Sequence, residues 1–254
     1  MKFPQGRWWR IAIRTALGLV IFMVLYTIYC LFAVPDLCQL KTKNPETSAF
    51  IEMRKEQWKD KNLKRKIDRR WVPLSAISRN LRNAVIAAED PNFYHHHGLD
   101  FYSIQLALEE DWEAKKIVRG ASTITQQLMK NLYLSPSQNP LRKWKEAILS
   151  LRVERCLRKD RILEIYLNTI EWGESTYGIE AASRRYFGKS AASLNPAESA
   201  LLAAMIPNPI LRNPYKRNPG LWKEKNGILY IMRRKGMLSK GDYEDAINDK
   251  IGLR

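Results

Sequence analysis

The apolar pattern of this chain changes period once, and the change divides it in two. Positions 11–34 are almost uniformly apolar, broken only by Arg14 near the start. A run of about 24 such residues, at 1.5 Å per residue, is long enough to cross a hydrocarbon core. Lys2, Arg7 and Arg10 precede it, and Trp8, Trp9, Tyr26 and Tyr29 stand where aromatic side chains anchor a span at its interfaces. A cleavable leader has a shorter apolar region and a small-residue cleavage site, and Asp36-Leu37 does not suit a lipoprotein cysteine at Cys38. Residues 11–34 are therefore expected to be a single-pass anchor behind a short tail, 1–10.

From Pro73 onward the spacing is helical. Ile77, Leu81, Ala84, Val85 and Ala88 share one face, and Pro91 ends that helix just after Asp90. Trp144, Ile148, Leu151 and Val153 predict a second amphipathic helix, and Ile162, Ile165 and Tyr166 a third. Ala197–Met205 predicts a fourth and Ile228–Met232 a fifth. No Val/Ile/Thr alternation is long enough to predict a sheet. Residues 73–254 thus read as one mainly α domain. Between anchor and domain, 35–72 reads as a basic juxtamembrane linker. Its charged stretch Glu52–Arg70 suits either a solvated helix of mixed pairs or a collar on anionic headgroups.

Composition narrows the picture. With 45% hydrophobic and 10% aromatic residues the chain is not disordered. A net charge of +17 calls for an anionic partner: nucleic acid, anionic lipid or a phosphate-bearing substrate. Basic residues flank both ends of the apolar run, so charge alone does not orient it. Cys30, Cys38 and Cys156 imply no disulfide framework.

The candidate chemistry lies in three polar blocks. The first is Glu89-Asp90-Pro91-Asn92-Phe93-Tyr94-His95-His96-His97-Gly98. Glu89 ends its helix beside Asp90, and the negative helix end and the neighbouring carboxylate are both expected to raise a carboxyl pKa, as a general base needs. Three consecutive histidines cannot all face one metal ion, so one of them is expected to position the acidic pair instead. The second block runs from Gly120 to Asn131, with Ser122 or Thr123 capping a helix that starts near Ile124. Thr123, Gln127, Lys130 and Asn131 then lie close to one face, with amides for a sugar and a cation for a phosphate. In the third block Arg142, Lys143 and Glu146 suit a diphosphate site, with Arg142 and Glu146 four apart on one helix face.

In order and spacing these blocks resemble the family 51 glycosyltransferases, the peptidoglycan glycosyltransferases of bacterial cell walls. The similarity continues through Arg161-Ile-Leu-Glu164-Ile-Tyr166-Leu-Asn168, Gly173, Tyr177-Gly178-Ile179-Glu180-Ala181-Ala182 and Tyr186-Phe187-Gly188-Lys189. It spans about Ala84 to Pro214. The Ile206-Pro207-Asn208-Pro209 segment is similar to the monofunctional members, and no Ser-x-x-Lys or Lys-Thr-Gly sequence of a transpeptidase is present.

The resemblance implies a lysozyme-like helical fold on the outer face of the bacterial cytoplasmic membrane, with the N-terminus inside. It implies polymerisation of lipid II into β-1,4 glycan strands with release of undecaprenyl diphosphate. By motif position Glu89 would be the general base. Asp90, Phe93, His96, Thr123, Gln127, Lys130, Asn131, Arg142 and Tyr166 would serve the substrate, joined by Ser122 and Lys143 beside them. Glu146 is left as either an organiser of cations or a ligand for a divalent ion (Mg or Mn); no prosthetic group is implied. Near Pro207 a basic residue common in bifunctional members is missing, and Arg212 is the nearest substitute. The segment 99–119 is expected to be a mobile loop gating the cleft. The partners implied are lipid II, the growing glycan, the membrane and other cell-wall synthesis proteins, not nucleic acid. The rival reading is a membrane-anchored muramidase or lytic transglycosylase with Glu89 as general acid, which has no use for a diphosphate-binding cluster.

Overall fold

The computed structural model describes residues 5–33, 36–114, 122–137, 139–216 and 218–254. In chain order the described elements are helix α1 (Gln5–Phe32), a 3₁₀ turn (Leu37–Lys41), α2 (Ala49–Asp60), strand β1 (Asp68–Arg69), α3 (Arg79–Glu89), α4 (Phe101–Ala114), α5 (Ile124–Tyr133) and α6 (Pro140–Cys156). They continue with α7 (Lys159–Thr169), β2 (Glu171–Gly173), β3 (Thr176–Tyr177), α8 (Ile179–Phe187), α9 (Pro196–Met205), α10 (Pro219–Arg234) and α11 (Lys240–Asn248). The protein is mainly α-helical.

Trp8–Phe32 of α1 is long and apolar enough to cross a membrane, and only 6% of its most apolar window is buried by the protein, so it is not a core helix. Val34, the last residue of the expected span, lies outside the described residues, as do residues 1–4. The C-terminal half of α1 docks on α6. Tyr26 OH donates to the Leu141 carbonyl at 3.1 Å, Trp144 Nε1 to Thr27 Oγ1 at 3.0 Å, and an Arg152 Nη1 to the Leu31 carbonyl at 2.7 Å. Tyr26, expected at a membrane interface, serves a helix–helix contact. The same docking corrects the expected face of α6: Trp144 and Leu151 point outward, while Glu146, Leu149, Ser150 and Val153 face the core. The helix is apolar on two sides because it meets two partners.

Residues 36–72 do not form an extended linker. Leu37 and Leu40 are buried, and α2 buries Ile51 and Trp58 and packs on α5. The guanidinium of Arg69 donates to the carbonyls of Pro45, Glu46 and Asn168. β1 pairs in parallel with β3, which pairs antiparallel with β2, in the order β1-β3-β2. These strands of two or three residues are too short for a period-2 signal, which is why no sheet was expected. The segment 99–119, expected to be a mobile loop, is helical over most of its length. Asp100 accepts from Ser103 N and Oγ and starts α4, which runs to Ala114; residues 115–121 lie outside the described residues.

The core centres on α9, whose residues 197–205 are all buried. Such a helix, apolar nearly all round, suits a central position. It packs between α3 and α10. Asn195 and Glu198 close a reciprocal cap at its start, and Lys189 pairs with Glu198.

The cysteines correct the sequence reading. Cys38 and Cys156 form a disulfide, with 5.0 Å between Cα atoms and a sequence separation of 118. The 3₁₀ turn folds back on the end of α6, a contact no local spacing announces. A cross-link closing so long a loop removes entropy from the unfolded chain, worth about 2–4 kcal/mol. Reduction, or Cys38→Ser, is expected to lower the Tm by roughly 5–15 °C, read by calorimetry with and without reductant.

Candidate active site

The site forms where the ends of α3, α5 and α6 meet the middle of α7. Pro91 terminates α3, so the chain leaves it with Glu89 as its last residue and Asp90 as its cap. Two further contacts fix the loop that follows. Gly98, at φ +90°, lies so close to α6 that a Cβ there would stand 2.8 Å from the Ser150 carbonyl oxygen. Its own carbonyl accepts from Thr123 Oγ1 at 2.7 Å. The first block, the second block and α6 are locked together at this one residue.

Asp90 turns away from Glu89. Its carboxylate accepts from His96 Nε2 at 3.0 Å and from the backbone N–H of Ile124, at the start of α5, at 3.0 Å. His95 and His97 are exposed. Thr123 caps α5 in a reciprocal pair with Gln126, as its spacing predicts. Phe93 is fully buried, with the Lys159 ammonium over its ring. Asp90, His96 and Thr123 thus make these hydrogen bonds within the protein, and Phe93 packs in its core.

Glu89 is held by a hydrogen-bond chain. Tyr166 OH donates to Gln127 Oε1 at 2.8 Å, and Gln127 Nε2 donates to Glu89 Oε2 at 2.6 Å. Burial raises the Glu89 pKa above the ordinary carboxyl value, against the Gln127 bond and the charges of Lys130 and Arg212. Desolvation is therefore the cause, in place of the neighbouring Asp90 that the sequence suggested. Burial likewise holds the Tyr166 phenol well above its usual range, with Glu89 and Asp90 adding to it, so Tyr166 stays a donor.

A cationic corner lies beside this chain. Arg142 Nη1 donates to Glu146 Oε2 at 2.5 Å, and Lys143 Nζ bonds both Glu146 Oε1 and Ser122 Oγ. Glu146 is 2% exposed, and each of its oxygens is taken by a cation. Burial lowers the Lys130 pKa, countered by Glu146 and reinforced by Lys143 and Arg142. Two cations thus bond one carboxylate, with Lys130 close enough to feel its charge. That donor set does not fit a divalent ion at Glu146, and among the described residues no three His, Cys, Asp or Glu side chains gather as a metal site.

A cavity of about 270 Å³ opens beside the chain, lined by Gln127, Lys130, Asn131 and Tyr166. Its other walls are Phe50 and Arg54 from α2, Ile170 and Glu171 after α7, and the Ile206–Pro209 turn. Sequence reasoning missed Phe50, Arg54 and Glu171. Arg54 is one cation among many in its stretch. Glu171, a lone carboxylate between Ile170 and Trp172, was the one available signal. Arg212, the suggested substitute for a basic residue near Pro207, donates to the Ala204 carbonyl at 2.8 Å and lies close enough to influence Glu89.

A family model described as Transglycosylase matches residues 56–233. A biosynthetic peptidoglycan transglycosylase of Nitrosospira multiformis is 41% identical over 224 residues, covering 88% of this chain and 94% of the relative. Another of the same description, from Methylobacillus flagellatus, is 43% identical over 216 residues, covering 85% and 94%. The crystal structure of penicillin-binding protein 1A from Haemophilus influenzae superposes with a TM-score of 0.45 at 23% identity, over 74% of this chain and 18% of that one.

Proposed function

This chain belongs to the transglycosylase family, and from that premise we propose that it polymerises lipid II into β-1,4 glycan strands and releases undecaprenyl diphosphate. The observation that carries the reading is a buried, hydrogen-bonded Glu89 carboxylate beside Lys130 and an Arg142–Lys143 pair held by Glu146. Glu89 takes the proton from the 4-hydroxyl of the acceptor's N-acetylglucosamine. As it does so, that oxygen bonds to C1 of the donor's N-acetylmuramic acid. The C1–phosphate bond breaks on the opposite face, which inverts the anomeric centre. The electron pair stays on the diphosphate, whose developing charge falls to Lys130, Arg142 and Lys143. Glu146 acts by fixing Arg142 and Lys143, and no step runs through a metal ion. Gln127 and Tyr166 aim the base, while Asp90 and His96 hold the loop and the start of α5 in register.

In this reading α1 anchors the protein in the bacterial cytoplasmic membrane with its N-terminus inside. The domain then stands on the outer face, where its substrate's headgroup lies. The Cys38–Cys156 disulfide supports that side, because such bonds persist in oxidising compartments.

The test is a gel assay of the purified full-length protein with labelled lipid II. A ladder of lysozyme-sensitive strands is expected. Release of soluble fragments from finished cell wall, with no ladder from lipid II, would instead establish the lytic reading.

A further inference from the structure

The cavity wall facing α5 carries an ion pair that the reaction as described does not use. Arg54 Nη2 donates to Glu171 Oε2 at 3.0 Å, and Arg54 Nη1 to Gln57 Oε1 at 3.0 Å. The pair is incompletely satisfied. Glu171 Oε1 has only a long 3.4 Å bond from Tyr177 OH, and Arg54 Nε, although buried, has no partner. The Glu171 side chain is 11% exposed and that of Arg54 27% exposed, and both line the cavity. Burial raises the Glu171 pKa, and the Arg54 charge and hydrogen bond oppose that rise.

Around the pair, Phe50 and Pro207 supply an apolar wall and Asn131 a side-chain amide. An apolar wall for a C–H face, an amide and an incompletely satisfied carboxylate suit a pyranose ring. The pair is neutral overall, so it offers little to a second phosphate. The cavity reaches the cationic corner through Lys130 and the base through Gln127.

Resting on the lipid II reading, we propose that Glu171, held by Arg54, binds the terminal N-acetylhexosamine of the acceptor by accepting hydrogen bonds from its ring hydroxyls. The donor sugar is bonded to the diphosphate and so lies toward Lys130 and Arg142. Arg54 and Glu171 line the same cavity without belonging to that cationic corner, which leaves them to the sugar whose hydroxyl gives its proton to Glu89. Arg54 is a positioning residue that orients Glu171 and opposes the rise in its pKa.

The test is steady-state coupling with a short lipid-diphosphate-linked glycan as donor and labelled lipid II as acceptor, each varied in turn. Glu171→Gln is expected to raise the acceptor KM about tenfold, the scale of one hydrogen bond to a charged group, with donor KM and kcat within twofold. Arg54→Lys should give a smaller rise. The exchanged pair Arg54→Glu with Glu171→Arg restores the ion pair and is expected to recover the Tm but not the acceptor KM. An acceptor KM unchanged in Glu171→Gln, or restored by the exchange, overturns the assignment and leaves a purely structural pair. If the wild-type chain makes no polymer from lipid II, the premise falls and this assignment with it.

Discussion

Replacing Glu89 by Gln is expected to abolish polymerisation while leaving the protein at least as stable. The amide can still accept from Gln127 Nε2 through its oxygen, so the hydrogen-bond chain to Tyr166 survives. What is lost is the ability to take a proton, and kcat should fall by about 10²–10⁴. The pKa direction fixes two further outcomes. The rate should fall as pH drops through the raised pKa of Glu89, so the acid limb of the wild-type profile lies above the ordinary carboxyl value. Because the folded-state pKa is raised above the unfolded one, the stabilising contribution of Glu89 is present below the unfolded pKa. It is lost as pH rises through the folded pKa. At neutral pH the buried carboxylate is thus a net burden, which Gln does not carry. Single-turnover rates across pH, with calorimetry on both proteins, check all three. A variant within tenfold of wild type would remove Glu89 from the role of base, and a Tm lowered by several degrees would overturn the stability claim.

The helices were legible because their signals are local. Pro91 stops α3, Thr123 caps α5 as one of the two residues expected to, and the apolar run Ala197–Met205 is a buried helix as its composition demands. The polar blocks were legible as chemistry, yet their division of labour was not. Asp90, Phe93 and His96 share a motif with Glu89, but its spacing does not record that Asp90 and His96 bond each other or that Phe93 is buried. The Cys38–Cys156 bond and the Arg54–Glu171 pair join positions more than a hundred residues apart. Neither has a period or a spacing to be read, and each depends on 36–72 folding back on the domain. The strands failed to register for the opposite reason: their signal is local but only two or three residues long.

The cationic corner should answer to substitution in a way that separates charge from packing. Lys130 lies close to Glu89, Glu146, Arg142 and Lys143, and its pKa is lowered chiefly by burial. The folded state therefore disfavours its charge. Lys130→Met, which keeps the length and apolar character of the side chain, is expected to hold or raise the Tm. If the proposed reaction holds, the same change removes a cation from the departing diphosphate, and kcat/KM should fall by about 10²–10³. Protein that is stable yet inactive is the signature of a charge kept for the transition state. Glu146→Gln tests the complementary element. It leaves Arg142, Lys143 and Lys130 without their shared counter-charge, so they repel and lose register. Activity should drop by about tenfold or more, and added Mg or Mn should not restore it, because each Glu146 oxygen is bonded to a protein cation. Restoration by either ion would make Glu146 a metal ligand. Wild-type turnover by Lys130→Met would move the diphosphate away from this corner altogether.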